Sequence, residues 1–296
     1  MLDLSYIFKD METKKAELKI IDDVKLEPTL KEAQAYVGGY VEGIHFPNGD
    51  YLIINEEGKL MGSFAEDTAE HYQFTREQQD NFAITSLERA KKANEDGTFD
   101  AEIVPIKVLN KKNEIIINKD EQPFKSDITK IPTLKPAFKK NGTVTAANSS
   151  SISDGASSVI LMLESEAQKR GIKPLARILD HSTNSQEPKW FTTAPIGAIE
   201  KVLEKSGWKK TDVDLFEVNE AFAVVPMAVM KDIGISNDIL NIYGGACALG
   251  HPVGASGTRI VTTLINALKK NNLKKGVASL CIGGGEATAL TLEIIN

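Results

Sequence analysis

In the last half of the chain, short apolar runs alternate with helical patterns, and this alternation limits the fold more than any other feature. Strands are predicted at residues 157–163, 276–281 and 287–295, where β-prone apolar residues cluster. Helices are predicted at residues 195–206 and 256–270, where apolar positions recur at helical spacing. Alternating strands and helices that end in two neighbouring strands indicate a layered α/β domain.

The first half of the chain has shorter and less regular patterns. Apolar runs at residues 36–42 and 51–55 flank a turn that contains Asn-Gly, which predicts a hairpin. Residues 75–96 predict a helix, because a threonine and a glutamine at its start have the spacing of a capping box. A polar stretch with three prolines, residues 118–142, predicts an extended connection.

The composition excludes several classes of protein. The chain has 42% hydrophobic and 26% charged residues, the balance of a soluble globular protein. Its net charge of -6 gives no overall field that favours nucleic acid or an anionic membrane. The two cysteines, Cys247 and Cys281, have no metal-site spacing and cannot form a disulfide framework, so we expect no metal and a cytoplasmic location. No secretory signal or membrane span is expected either.

Two segments are candidates for a functional site, one with an asparagine and one rich in glycine. Asn219 lies at a predicted strand-to-helix junction, where an asparagine either caps the helix or presents its amide to a ligand. Five glycines surround His251 within residues 244–257, just before a helix. Such a loop favours close backbone approach to an anion, or it is a tight turn with a hydrogen-bonded histidine.

Cys281 ends a predicted strand and precedes three glycines, residues 283–285. Backbone N–H groups in such a turn can line an oxyanion, whereas the alternative is a buried and inert thiol. A serine-rich stretch at residues 148–156 is a polar turn by composition alone.

These segments together resemble the thiolase family, and within it the acetoacetyl-CoA thiolases. Asn219-Glu220-Ala221-Phe222, Gly250-His251-Pro252 and Cys281-Ile282-Gly283-Gly284-Gly285 have the order and spacing of its three C-terminal signatures. The resemblance implies three parts of an α/β fold. They are a small α+β segment (1–60), part of the thiolase loop domain (61–142) and the C-terminal half of the layered αβα fold (143–296).

The resemblance also implies roles by matched position. Cys281 matches the acid/base cysteine that takes a proton from the α-carbon of the acyl group. His251 matches the histidine that activates the nucleophile and points at the thioester oxygen, and Asn219 matches the residue that holds a water in that oxyanion hole. The backbone of Gly283 matches part of a second oxyanion hole.

Two further positions match substrate contacts of the family. Ser150 matches a contact to the pantetheine arm of coenzyme A, and Met61 matches a residue that lines the acyl pocket. Coenzyme A is a substrate in this chemistry, so no cofactor is expected.

The expected function is therefore that of an acyl-CoA C-acyltransferase, which performs thiolysis of acetoacetyl-CoA or Claisen condensation of acetyl-CoA. Thiolases carry the acyl group on a second cysteine, but no cysteine precedes Cys247 here. We expect Cys247 to be a packing residue, and the activity to be impaired because the N-terminal half with the nucleophile is missing. The alternatives are a non-catalytic module that binds coenzyme A and a chimeric or truncated remnant.

Residues 20–60 resemble a phage-type domain of unknown function, which predicts a junction near residues 58–61. A half-thiolase would expose the face that its missing half covers. We therefore expect a homo-oligomer, or a chain that needs a partner thiolase half, and a clean monomer in sedimentation would contradict this.

Overall fold

The computed structural model describes the chain in four ranges, residues 41–45, 51–55, 57–110 and 113–295. Side chains are described at residues 60–109 and 113–295. The chain divides into two compact units, residues 1–57 and 58–296.

The first unit contains a β-hairpin. Strand β1 (Val41–His45) pairs antiparallel with β2 (Tyr51–Asn55), with Val41 opposite Asn55. This pairing confirms a hairpin, but β1 continues three residues past the run predicted at residues 36–42. Residues 36–40 and the turn between the strands lie outside the described residues.

Two helices follow, α1 (Glu57–Tyr72) and α2 (Arg76–Glu95). The predicted capping box is confirmed: the Gln78 N–H donates to Thr75 Oγ1 at 3.1 Å, and the Thr75 N–H donates to Gln78 Oε1 at 2.9 Å. These reciprocal bonds satisfy donors that the start of any helix leaves free.

A second hairpin and two short helical turns come next. Strand β3 (Ile106–Asn110) pairs antiparallel with β4 (Asn113–Ile117). The prediction of an extended connection is wrong in part, because α3 (Gln122–Lys125) and a 3-10 turn (Ile128–Thr133) lie within it. A proline in the first turn of α3 accounts for this, since its fixed φ suits a helix start.

The remaining elements form the layered part of the fold. They are α4 (Glu164–Lys169), β5 (Ala176–Ser185), α5 (Ala194–Ser206), β6 (Leu215–Val218), α6 (Val224–Val229), α7 (Ala246–Leu249), α8 (Ser256–Lys270), β7 (Lys275–Ile282) and β8 (Glu286–Ile294). Among the described residues, no helix combines the length and the apolar composition needed to cross a membrane.

The predicted strand at residues 157–163 is wrong. The described residues contain no strand there, and its side chains are largely exposed, Ile160 at 86% and Leu161 at 72%. A β-prone run forms a strand only when a neighbouring strand satisfies its backbone, and no described strand pairs with this one.

Strands β5, β8, β7 and β6 form one sheet in that order. Strand β8 is antiparallel to both neighbours, whereas β6 and β7 are parallel, with Val218 opposite Ser279. Successive side chains of a strand face opposite sides of a sheet. Accordingly, Val277 packs in the cluster that contains α5, and Ala278 packs in the cluster that contains α8. The sheet therefore lies between two helical layers.

Candidate active site

The parallel strands β6 and β7 end at the same edge of the sheet, and two predicted site residues lie there. The Asn219 N–H, just past the end of β6, donates to Ser279 O in β7 at 3.0 Å. Cys281 follows two residues later at the end of β7. Both side chains are buried, with Asn219 at 0% and Cys281 at 7% exposure. Parallel pairing thus places an amide and a thiol on adjacent strand ends.

The glycine-rich loop delivers His251 to this edge. Gly250 has a φ of +91°, a conformation that side-chain-bearing residues rarely adopt, and a Cβ there would collide with the Ser153 side chain. The His251 N–H donates to Ser151 O at 2.8 Å. The loop therefore closes against the serine-rich stretch and fixes the backbone of His251.

Both ring nitrogens of His251 face protein groups. Nδ1 lies 2.5 Å from the Ser256 Oγ, and Nε2 lies 3.4 Å from the Asn219 Nδ2. The Asn219 Oδ1 is buried and has no hydrogen-bond partner among the described residues. Because a buried acceptor without a donor is costly, this oxygen marks a place for a donor that arrives from outside the chain.

Two more predicted residues lie beside these segments. The Ser150 Oγ and the Ser150 N–H each lie 3.0 Å from Ala221 O, two residues after Asn219. A Cβ placed on Gly283, in the turn after Cys281, would lie 3.0 Å from the Met61 sulfur. The contacts thus connect Ser150 to the Asn219 segment and Met61 to the Cys281 turn.

The protonation of the site follows from its burial. Burial raises the pKa of the Cys281 thiol to about 12. Burial, with the positive charge of Arg259, lowers the pKa of His251 from its ordinary 6.5. At neutral pH the site therefore contains a protonated thiol and a neutral imidazole.

A buried polar network supports the loop from behind, and the sequence alone did not reveal it. Glu220 is fully buried and accepts hydrogen bonds from Ser86 Oγ at 2.7 Å, Asn241 Nδ2 at 2.9 Å and the Cys247 N–H at 3.1 Å. Burial raises its pKa, although these three donors oppose the shift. The sequence signal for this network is a glutamate directly after Asn219, between the end of β6 and the start of α6.

Cys247 is a buried thiol on α7, and its Sγ lies 3.7 Å from Glu220 O. Burial raises its pKa well above the ordinary thiol value. A buried thiol with a raised pKa forms little thiolate at neutral pH, which agrees with the prediction of a packing role.

A second buried carboxyl pairs with Arg259. Glu217 Oε1 on β6 accepts a hydrogen bond from Arg259 Nη1 on α8 at 2.9 Å. Burial raises the pKa of Glu217 from 4.5 to about 8, although Arg259 opposes the shift. The folded chain therefore holds a proton on Glu217 at pH values where the unfolded chain has lost it.

The free energy of unfolding is expected to fall as the pH rises from 6.5 to 8 because of Glu217. The folded state keeps a proton on Glu217 that the unfolded state has lost. The free energy of unfolding therefore falls by up to about 1.4 kcal/mol for each pH unit until the pH passes the pKa of folded Glu217. The lowered pKa of His251 has the opposite sign but acts below 6.5. Denaturant unfolding between pH 6.5 and 8 should show that the free energy of unfolding depends less on pH in Glu217→Gln than in wild type. An equal slope against pH in the two proteins would contradict the raised pKa of Glu217.

The geometry defines a layered α/β protein with an amide, a histidine and a thiol gathered at the carboxyl edge of a parallel strand pair. Two family models match this chain. The model described as "Thiolase, C-terminal domain" matches residues 172–294, and the one described as "Thiolase, N-terminal domain" matches residues 27–165. The chain belongs to the thiolase family.

Several named relatives support this assignment. A probable acetyl-CoA acetyltransferase of Dictyostelium discoideum is 52% identical over 88% of this chain and 61% of its own length. An acetyl-CoA acetyltransferase of Escherichia coli (strain K12) is 40% identical over 93% of this chain and 71% of its own. The chain thus spans about three fifths of the length of curated relatives such as the Dictyostelium protein.

Solved structures confirm the predicted fold class. The crystal structure of the Bacillus anthracis acetyl-CoA acetyltransferase matches with a TM-score of 0.77 and 44% identity, over 79% of this chain and 60% of that chain. The enzyme from Syntrophomonas wolfei matches with a TM-score of 0.74 and 39% identity. The domain boundaries at residues 60 and 142, and the phage-type resemblance, stay predictions.

Proposed function

We propose that this chain catalyses proton transfer at the carbon next to the thioester of acetyl-CoA, the acid/base step of acetyl-CoA C-acetyltransferase chemistry. The relatives that carry that name suggest the substrate class. The main support from this chain is the contact between the buried Asn219, whose Oδ1 lacks a donor, and the half-buried His251, next to the Cys281 strand end.

The proposed step forms an enolate, which needs a base for the α-proton and donors for the oxygen that becomes negative. Cys281 is the proposed base. Its thiol first loses its proton to solvent, and the thiolate then takes the α-proton as the C–H bond breaks and an S–H bond forms. In the reverse direction the thiol returns that proton as an acid. The thioester oxygen is placed near His251 Nε2 and near a water that donates to the Asn219 Oδ1. The backbone N–H of Gly283 is the proposed donor of a second oxyanion hole.

Substrate binding is proposed at two further positions. Ser150 is the proposed contact to the pantetheine arm, and its fixed position against Ala221 supports this. Met61 is the proposed lining of the acyl pocket, since its sulfur lies against the turn after Cys281. Coenzyme A is a substrate here and not a resident cofactor.

The acyl-carrying step is a separate question. This sequence has no cysteine before Cys247, and the buried thiol of Cys247 is a poor nucleophile. We therefore propose that the chain alone performs α-proton exchange more readily than complete thiolysis. A module that binds coenzyme A without turnover is the second candidate, favoured by that same lack of an available nucleophilic thiol.

Exchange of the α-hydrogens of acetyl-CoA with solvent deuterium tests the proposal, because it requires no acyl-enzyme. Wild-type protein should promote exchange. Cys281→Ala should exchange about 10²–10⁴-fold more slowly, because a positioned acid or base usually contributes a factor of that size. Mass spectrometry of the acetyl group measures both rates.

Cys247→Ala is the matched control, since it removes the other buried thiol while the Cys247 N–H can still donate to Glu220. It should exchange at the wild-type rate. Equal exchange by wild type and Cys281→Ala would refute the acid/base role. Binding of coenzyme A without exchange would favour the binding module, and thiolysis of acetoacetyl-CoA would show that a nucleophile is present after all.

Association with another chain is also proposed, either as a homo-oligomer or with a partner thiolase half. The exposed apolar run at residues 157–163 supports it, because such a run on a free surface favours association. A cytoplasmic location remains part of the proposal.

A further inference from the structure

The serine-rich stretch, residues 148–156, lies between the two loops of the site. Ser149 and Phe222 form an isolated antiparallel bridge, and Ile152 and His251 form an isolated parallel one. The stretch thus touches the Asn219 segment through one residue and the glycine-rich loop through another. It belongs to no described helix or strand. Its position therefore depends on these two bridges and on the contacts of its side chains.

The serine hydroxyls of this stretch face two different parts of the chain. The Ser150 Oγ lies 3.0 Å from Ala221 O, in the Asn219 segment. The Ser151 Oγ instead donates to Gln122 Oε1 at 2.6 Å, and Gln122 is the first residue of α3. The Ser153 Oγ lies 3.3 Å from the same oxygen and 2.8 Å from the Ser151 Oγ. Two of these serines are therefore connected to α3.

The Gln122 amide oxygen is the acceptor at the end of this cluster. A serine hydroxyl has one proton to donate. The shortest contacts form a chain in which Ser153 donates to Ser151, and Ser151 donates to Gln122 Oε1. A Cβ on Gly250 would lie 3.2 Å from that oxygen and would collide with the Ser153 side chain. Gln122, the serines and the glycine-rich loop thus meet at one point.

We propose that Gln122 is a positioning residue, which fixes the serine-rich stretch to α3 and thereby holds Ser150 in place for the substrate. It acts through Ser151 and Ser153 and does not touch the reacting atoms. This inference rests on the proposed function for the role of Ser150 as the contact to the pantetheine arm. The hydrogen bonds that carry it belong to the chain itself.

The consequence is an effect on substrate binding and not on the chemical step. The Asn219 backbone is fixed by its bond to Ser279 O, and Cys281 lies at the end of β7. The sheet therefore holds both of these groups without help from Gln122. A binding group that is ordered before the ligand arrives increases affinity, because less freedom is lost on binding. Loss of the Gln122 contact should weaken binding and leave the rate at saturation almost unchanged.

Gln122→Met tests this proposal, because methionine has a similar length but no amide oxygen. Deuterium uptake by the backbone amides of residues 148–156, measured by mass spectrometry on the full chain, should become about tenfold faster. The KM for acetyl-CoA in α-hydrogen exchange should rise about tenfold, near the upper end of what one hydrogen bond contributes. The kcat should stay within about threefold of wild type. Gln122→Glu keeps an acceptor oxygen at this position and should restore both deuterium uptake and KM.

Two further variants make the test specific. Lys125→Ala is the matched control, because it changes another side chain of α3, whose ion pair with Glu121 is exposed. It should match wild type in deuterium uptake and in KM. Ser151→Ala should reproduce Gln122→Met, and the double variant should show no further effect, because both changes remove the same hydrogen bond. Peptides from β7 and β8 report in each variant whether the fold is intact.

Several results would overturn the proposal. Unchanged deuterium uptake of residues 148–156 in folded Gln122→Met would do so, as would an equal change in Lys125→Ala or no recovery in Gln122→Glu. A lower kcat with an unchanged KM would show that Gln122 does not act through Ser150. If wild type exchanges no α-hydrogens, the proposed function fails. Deuterium uptake, which needs no substrate, then still decides whether Gln122 fixes the stretch.

Discussion

Exchange of the α-hydrogens of acetyl-CoA is expected to slow by about 10²–10³-fold when Asn219 is replaced by alanine, the usual cost of one oxyanion-hole group. Asn219 is fully buried, and its backbone is fixed to β7 through the bond to Ser279 O. The substitution removes the amide that faces His251 Nε2 and the unpartnered Oδ1.

The same substitution has a structural control. Asn94→Ala removes a buried asparagine of α2 whose amide bonds to Ala90 O and Asp120 instead. It should lower stability but leave the exchange rate per folded molecule near wild type. If Asn219→Ala exchanges as fast as Asn94→Ala, the oxyanion role of Asn219 is wrong, and the unpartnered oxygen has another purpose.

Local motifs give candidates for the site at single positions. Asn219, His251 and Cys281 are candidates because each lies at the end of a regular element or inside a glycine loop, whereas their roles rest on the resemblance to the thiolase family. Parallel pairing of β6 and β7 then brings Asn219 and Cys281 to one edge. A sequence pattern can indicate such residues, because strand ends and glycine loops are determined within a few positions of the chain.

Contacts between distant segments could not be predicted in this way. Glu220, between β6 and α6, accepts a hydrogen bond from Ser86, which is 134 positions away on α2. The strand predicted at residues 157–163 is wrong for the same reason. An apolar, β-prone composition shows that a segment is able to form a strand. A strand also requires a neighbouring strand to pair with, and the local sequence does not show whether there is one.

The free energy of unfolding is expected to fall by about 3–5 kcal/mol when Glu220 is replaced by alanine. The change leaves three buried donors without an acceptor, from Ser86, Asn241 and Cys247, and each such donor costs roughly 1–3 kcal/mol. Denaturant titration monitored by circular dichroism measures the loss. Glu204→Ala, an exposed glutamate of α5, should change the free energy by less than about 0.5 kcal/mol.

Glu220→Gln separates hydrogen bonding from charge. The amide oxygen can serve Ser86 and the Cys247 N–H together, because one carboxylate oxygen does so now, but the amide nitrogen then faces the Asn241 donor. The loss should be smaller than for alanine. Since the Ser86 Oγ also accepts from the Gly245 N–H at 2.9 Å, the network positions the loop that leads to His251. An alanine variant as stable as wild type would mean that the loop is held by its packing, and Glu220 would then have to be explained by the reaction.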